Sequence, residues 1–280
     1  MCVLCVCGFL CLEMSLVFVG LGLGDLKDIT VRGLEEVKSS DFVYLENYTA
    51  ILPGTEISDM ELFYGKSIII ADRDMVESSN SIINSAKSSK VSVLVVGDPF
   101  CATTHSDLYL RAKELGISVS IVHNASIISA IGCTGLHMYR FGEIVTIPFW
   151  TDNWKPASWH DKVVENKSRG LHTLCLLDIK VKERSVENLI KGRDIFEPPR
   201  FMSVDQALDQ LVQVEHTFTC MADLKCVGVG RIGKSDQAIK FGSVSNFLDN
   251  RNCMGGPLHS LIICGDLHEM ELEFLNQFAL

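Results

Sequence analysis

Leu94-Val95-Val96-Gly97-Asp98-Pro99-Phe100-Cys101-Ala102-Thr103-Thr104-His105-Ser106-Asp107-Leu108 is the stretch that decides the fold class of this chain. The run from Val91 to Val96 is β-branched enough to be a buried strand, and Gly97-Asp98-Pro99 stops it. Asp98 therefore falls at the carboxyl edge of a sheet, where open α/β sheets bind ligands. Beyond it, Leu108, Leu110, Ala112 and Leu115 recur among charged residues, which predicts a helix over 105–115 packed back on the sheet and capped by Thr104 or Ser106. Strand, small-residue loop and helix together make one unit of a parallel α/β sheet.

A second such unit precedes it. Leu16-Val17-Phe18-Val19 runs into Gly20-Leu21-Gly22-Leu23-Gly24-Asp25, and glycines without a Cβ let a ligand lie against the backbone. The loop misses the dinucleotide fingerprint, because the sixth place counted from Gly20 or Gly22 holds Asp25 or Lys27. An acidic Asp25 there would repel a pyrophosphate. A phosphate-free ligand fits better, and the plainer alternative is a tight strand-to-helix turn.

Alternating strand and helix signals continue through the first half. Strands are predicted at 16–20, 41–47, 67–71, 91–96 and 117–122, with helices near 28–39, 56–63, 75–87 and 105–115. The uncharged, small-residue segment Ala125 to Gly132 predicts a buried helix and hinge. In the second half, strands are predicted at 143–149, 172–181, 225–232 and 258–264, helices near 157–168, 203–214 and 267–278, and surface loops at 216–224 and 248–256. Ser203 is the expected cap of the 203–214 helix. The expectation is an α/β protein of two domains. The first, over 14–126, has a Rossmann-like parallel sheet; the second, over 127–280, is α/β with a mixed sheet; residues 1–13 form an apolar extension.

The chain's 280 residues, 47% of them hydrophobic, suffice for two cores. With 25 basic against 35 acidic residues the net charge is −10, which argues against nucleic acid or an anionic membrane as partner. A local basic cluster, Lys180, Lys182, Arg184, Lys191, Arg193 and Arg200, is either a solvated face or a docking surface. Most of the 11 cysteines sit in apolar runs, as Cys175 does in Thr173-Leu174-Cys175-Leu176-Leu177, so they read as small hydrophobes in a reducing, cytoplasmic compartment. Cys2, Cys5, Cys7 and Cys11 lack a partnering pair or histidine at metal-site spacing, so no metal is expected. Met1 to Leu12 is apolar, but no basic residue precedes it and Glu13 ends it, which argues against a signal peptide or a membrane span.

Asp98 reads either as a turn former or as an acceptor for a cationic group. Asn124, Ser126 and Ser129 read equally as helix caps or as ligand contacts. His259, on the apolar strand from Pro257 to Cys264, is as readily a satisfied core residue as a ligand contact. Cys101 has only His105 nearby as a base, which leaves it a weak candidate nucleophile. No nucleophile elbow or phosphate-binding Walker loop is present, and no residue stands out as a general base.

The ordered motifs Gly20 to Asp25 with Lys27-Asp28-Ile29-Thr30, Val96 to Phe100 with Ala102 to Leu108, and His123-Asn124-Ala125-Ser126-Ile127 carry a resemblance, together with Phe149-Trp150-Thr151-Asp152, His172 to Val181, Glu197-Pro198-Pro199-Arg200 and Pro257 to Leu261. Over residues 16 to 275 the chain resembles the diphthine synthase family of tetrapyrrole-methylase-like methyltransferases. The resemblance implies a homodimer that holds S-adenosylmethionine in a cleft between the two domains. It implies cofactor contacts at Leu23, Asp98, Cys101, Ser126, Ile127, Leu177, Val229 and His259, with Cys101 standing where close relatives have glycine. It also implies methylation of the 3-amino-3-carboxypropyl-histidine of translation elongation factor 2, on its amine and its carboxylate, toward diphthamide. The alternatives are a methyltransferase acting on a free tetrapyrrole, or a non-catalytic scaffold of the same fold.

Overall fold

The structure, a computed structural model, describes residues 14–214 and 224–280. The apolar extension at 1–13 and nearly all of the loop expected at 216–224 lie outside the described residues. The chain divides into two compact units. One holds the described residues up to Gly22 with Leu26–Thr49 and Thr55–Asn124, and the other holds Leu23–Asp25, Ala50–Gly54 and Ala125–Leu280.

The first unit is built on five parallel strands, β1 (Ser15–Gly20), β2 (Phe42–Glu46), β3 (Ile69–Ala71), β4 (Lys90–Val95) and β5 (Ser118–Val122), in the order β3-β2-β4-β1-β5. Leu16 to Val19 and Val91 to Val95 are buried without a break, as strands covered on both faces must be. The edge strands β3 and β5 are more exposed. Helices α1 (Val31–Ser39) and α2 (Ile57–Tyr64) follow β1 and β2, while α3 (Ser81–Ala86) and α4 (Ser106–Glu114) follow β3 and β4. The connection from β1 runs toward β2 and that from β4 runs the opposite way toward β5. Right-handed crossovers therefore place α1 and α4 on opposite faces, and the switch falls between the carboxyl ends of β1 and β4.

The five strands stand where the sequence put them, with two local corrections. The helix expected over 75–87 breaks into a π-helical turn, Asp74–Ser78, and α3, because the Ser79 hydroxyl accepts from the Ser81 N–H at 3.0 Å and starts the helix afresh. Neither Thr104 nor Ser106 caps α4; the Thr104 hydroxyl instead donates to Glu77 at 2.9 Å.

The second unit carries a mixed sheet. Strands β6 (Val145–Ile147), β7 (Thr173–Leu177), β10 (Lys225–Gly230), β11 (Ala238–Ser243) and β12 (His259–Ile263) lie in the order β11-β10-β12-β7-β6, antiparallel except for β6 and β7. A hairpin-like pair, β8 (Ile179–Lys180) and β9 (Arg200–Phe201), stands apart. The strand expected over 172–181 stops at Asp178, whose carboxylate accepts from the Phe149 N–H at 2.9 Å. The helices are α5 (Ile127–Ala130), α6 (Ser158–Ser168), α7 (Val186–Ile190), α8 (Val204–Val214), α9 (Val244–Asp249) and α10 (Glu269–Leu275).

Alternate residues of this sheet serve two cores. Cys175, Cys226, Leu261 and Ile263 face Val204, Leu208, Leu211 and Phe247 of α8 and α9. Leu174, Val227, Val229 and Ile262 face the other way, against Ile131, Phe241 and Leu275. Cys101, Cys133, Cys175, Cys226, Cys253 and Cys264 are free thiols. Burial pushes the Cys175 and Cys226 thiols far up and Cys264 to about 12, so these side chains act as small hydrophobes. The buried helix expected through 125–132 is shorter and half-exposed: α5 spans four residues and passes into a 3-10 turn at Ile131–Thr134. Gly132 weakens it through backbone freedom, and Gly135, left-handed at φ 80°, caps the turn that follows. Among the described residues no helix is long and apolar enough to cross a membrane.

Candidate active site

At the switch point of the first sheet, two loops join edge to edge. The Gly97 N–H donates to the Gly22 carbonyl at 2.8 Å and the Gly22 N–H returns a bond to Gly97 at 3.3 Å. Gly20 permits this approach, since a Cβ there would lie 2.7 Å from the Gly97 carbonyl oxygen and from the Asn124 Cβ. Gly20 and Gly22 thus serve the chain's own packing, and the space at Gly20 belongs to neighbouring loops.

A third loop completes the arrangement. The Asn124 side-chain amide donates to the carbonyls of Gly20 and Asp28, both at 2.9 Å, which ties the end of β5 to the segment after β1. Asn124 is neither a helix cap nor a free polar group. The cap of α5 is Ser126, in a reciprocal arrangement with Ser129.

Asp98 sits in the middle of these loops, 5% exposed. One carboxylate oxygen accepts from the Phe100 N–H at 2.9 Å; the other accepts from the Asn124 N–H at 3.2 Å and faces His123 Nδ1 at 2.8 Å. Burial by itself would raise the Asp98 carboxyl, but the Phe100 N–H, the His123 ring and the Asn124 N–H together hold it below its usual range. The carboxylate is therefore ionised near neutral pH and acts only as an acceptor. Cys101 follows in the same loop, its N–H 3.4 Å from the Asp98 carbonyl, half-buried and ahead of Ala102, whose φ of 60° is left-handed. A non-glycine residue held there stores about 1–2 kcal/mol of strain.

The remaining residues singled out from the sequence lie in the second unit, in two groups. Leu23 and Ile127, both half-buried, pack on the core that contains Val229, beside the buried Ser126. Val229 itself is 1% exposed in the middle of the sheet, opposite Ser260 and Ile239, so its side chain belongs to the core. His259 pairs with Gly230, next to Val229, and Leu177 ends β7 one step past the Leu176 that faces Ser260. The His259 Nε2–H donates to the Gly256 carbonyl at 2.8 Å, and Nδ1 lies 3.4 Å from the Val204 N–H. Burial lowers the pKa of this imidazole, and the bond to Gly256 offsets the effect only in part, so the ring is neutral with both nitrogens engaged.

The basic cluster of the second half is met largely by its own acids. Lys180 pairs with Asp178 and Glu183, Arg184 with Asp194, Lys191 with Glu187, and Arg200 with Glu183 and Glu197. Four of the six cations, Lys180, Arg184, Lys191 and Arg200, thus have acidic partners close by in the chain.

The profile of the tetrapyrrole (corrin/porphyrin) methylases matches residues 15–247. The chain belongs to this family. Within it, the methylase stands among the diphthine synthases. It is 51% identical over 270 residues to a diphthine methyl ester synthase of Dictyostelium discoideum, covering 95% of this chain and 98% of that one. It is 52% identical over 275 residues to the protein of the same name in Homo sapiens, covering 95% of each. A crystal structure of a diphthine synthase superposes with a TM-score of 0.79 at 36% identity, covering 95% of this methylase and 96% of that chain. An Entamoeba histolytica structure assigned provisionally to the same activity gives 0.83 at 43%, covering 95% and 98%. The methylase is accordingly a methyltransferase, and its parallel sheet and mixed sheet are those of the diphthine synthases.

Proposed function

We propose that this methyltransferase uses S-adenosylmethionine to methylate the 3-amino-3-carboxypropyl group on a histidine of translation elongation factor 2, giving diphthine and its methyl ester on the path to diphthamide. The observation that carries this reading is identity at about half of all positions, over nearly the whole of both chains, with proteins named for that product. We assign Leu23, Asp98, Cys101, Ser126, Ile127, Leu177, Val229 and His259 as the cofactor contacts. We further propose a homodimer acting in the cytoplasm, with a domain boundary near 126–127.

The donor set suits such a ligand. Leu23 and Ile127 offer half-buried apolar surface to an aromatic base, Ser126 and a neutral His259 supply polar edges, and Asp98 is an ionised acceptor near which a positive charge is favoured. The set contains no lysine or arginine, which a phosphate-bearing ligand would call for. When bound, S-adenosylmethionine supplies a methyl group on positively charged sulfur. The protein's part is chiefly orientation, because holding acceptor and methyl in line removes much of the barrier. The carboxylate acceptor is already ionised near neutral pH, whereas the amine must first lose a proton.

The test is incubation of the protein with radiolabelled S-adenosylmethionine and either elongation factor 2 from cells blocked before this step or a tetrapyrrole precursor. Label on the factor, with mass spectrometry placing methyl groups on the modified histidine, is the expected result. Label on the tetrapyrrole alone, or on neither, would overturn the reading.

A further inference from the structure

The reaction proposed above has an unassigned proton, and the first unit holds a group built to take it. His123 is the first residue past the carboxyl end of β5, on the edge where open α/β sheets present their ligands. Its Nδ1 lies 2.8 Å from an Asp98 oxygen. An ionised carboxylate only accepts, so Nδ1 carries the hydrogen, and in the ring's neutral form Nε2 presents a lone pair. The His123 side chain is 70% exposed, whereas Asp98 is 6% exposed.

The ring is aimed with unusual care for an exposed histidine. Asp98 is fixed by the Phe100 and Asn124 N–H groups, and Asn124, adjacent to His123, is fixed to Gly20 and Asp28. The other histidines near the assigned residues lack this combination. His105 is wholly buried, with Nδ1 on the Pro99 carbonyl, and both nitrogens of His259 are engaged within the protein. The acids on the neighbouring elements are Asp98 after β4 and Asp28 after β1, whose carbonyl Asn124 holds.

We propose that His123, oriented by Asp98, is the general base that deprotonates the acceptor amine before each N-methylation. This rests on the substrate reading given above. An N–H bond of the substrate ammonium breaks with its electron pair left on nitrogen, and the proton bonds to Nε2 and passes to solvent. The freed pair then takes the methyl group, and the electrons of the broken carbon–sulfur bond stay on sulfur. Methylation of the carboxylate involves no such proton. Asp98 is a positioning residue in this scheme.

His123→Asn separates the base from the scaffold, since asparagine keeps a donor of similar reach toward Asp98 and deletes Nε2. Initial rates are compared with wild type on two forms of elongation factor 2, one with a free amine and one already trimethylated on the amine, where only the carboxylate can accept. N-methylation is expected to fall about 100-fold near neutral pH, with the deficit shrinking as pH rises and the amine arrives deprotonated, while ester formation is retained. Imidazole should restore part of the N-methylation of His123→Ala. Without methyl donor, calorimetric affinity for the factor should be unchanged, and thermal melting should show both variants folded. Equal loss on both substrates, or none on the amine, would overturn the base while leaving the substrate reading intact. Wild type inactive on both would overturn the substrate reading first and the base with it.

Discussion

At the scale of single residues, Asn124 does more for the first unit than its polarity suggests. Its side chain bonds two carbonyls of one loop while its N–H bonds the Asp98 carboxylate of another. Asn124→Ala should lower stability by about 1–3 kcal/mol, chiefly the cost of leaving the part-buried Gly20 carbonyl unmet, as read from urea midpoints. Affinity for the methyl donor should fall with it, because the backbone N–H that Asp98 accepts from is no longer anchored through the side chain to Gly20 and Asp28. Asp98 was legible in the sequence, since a strand stopped by Gly-Asp-Pro announces a carboxylate at a sheet edge. The pairing of His123 with it was not, because the two are 25 residues apart and only the pairing of β1 with both β4 and β5 draws them together. Gly20 misled for the same reason. The sequence shows that a backbone must be approached there, but not that the approaching group is Gly97.

At the scale of elements, helix α8 shows how the second unit holds together. Val204, Ala207, Leu208 and Leu211 recur at helical spacing and are all buried against the mixed sheet, and Ser203 and Gln206 bond each other's N–H at the start, as the sequence indicated. Leu208→Ala should cost about 2–5 kcal/mol in chemical denaturation, through lost burial and the cavity left. The first sheet was readable because strands buried on both faces are near-continuous β-branched runs. Strand β11 and helix α9 escaped, since Ala238-Ile239-Lys240-Phe241-Gly242-Ser243 mixes glycine and lysine with its apolar residues and has no separating turn signal before α9. Its strand character comes from pairing with β10, which is a tertiary property.

At the scale of the whole molecule, acid sensitivity follows from a buried network in the second unit. Glu271 accepts from the N–H groups of His137 and His268, both at 2.7 Å, and from His172 Nε2 at 3.2 Å, while His172 Nδ1 accepts from the Gly265 N–H at 2.9 Å. Burial keeps His172 below the usual histidine value against the pull of Glu271. Burial opposes ionisation of Glu271, but the two N–H groups and His172 still hold its carboxyl below the usual range. Both folded-state values lie below the unfolded ones, so both contributions are complete at neutral pH and shrink on acidification. The loss should begin as pH falls below about 6.5, where the unfolded histidine takes up its proton, and steepen below about 4.3 as Glu271 joins it. Melting temperature measured against pH should show both stages, and Glu271→Gln should shrink the lower one, leaving the part contributed by Asp98 and Asp209.

The reciprocal bonds between Gly22 and Gly97 bear on how this protein meets its ligands. Two strand-to-helix loops are latched to each other at the carboxyl edge of the parallel sheet, so a molecule docking there meets a floor already set, and little entropy remains to be lost on arrival. Lengthening either loop would break the latch at both. Side chains can change within the joined pair, but its length and backbone path cannot.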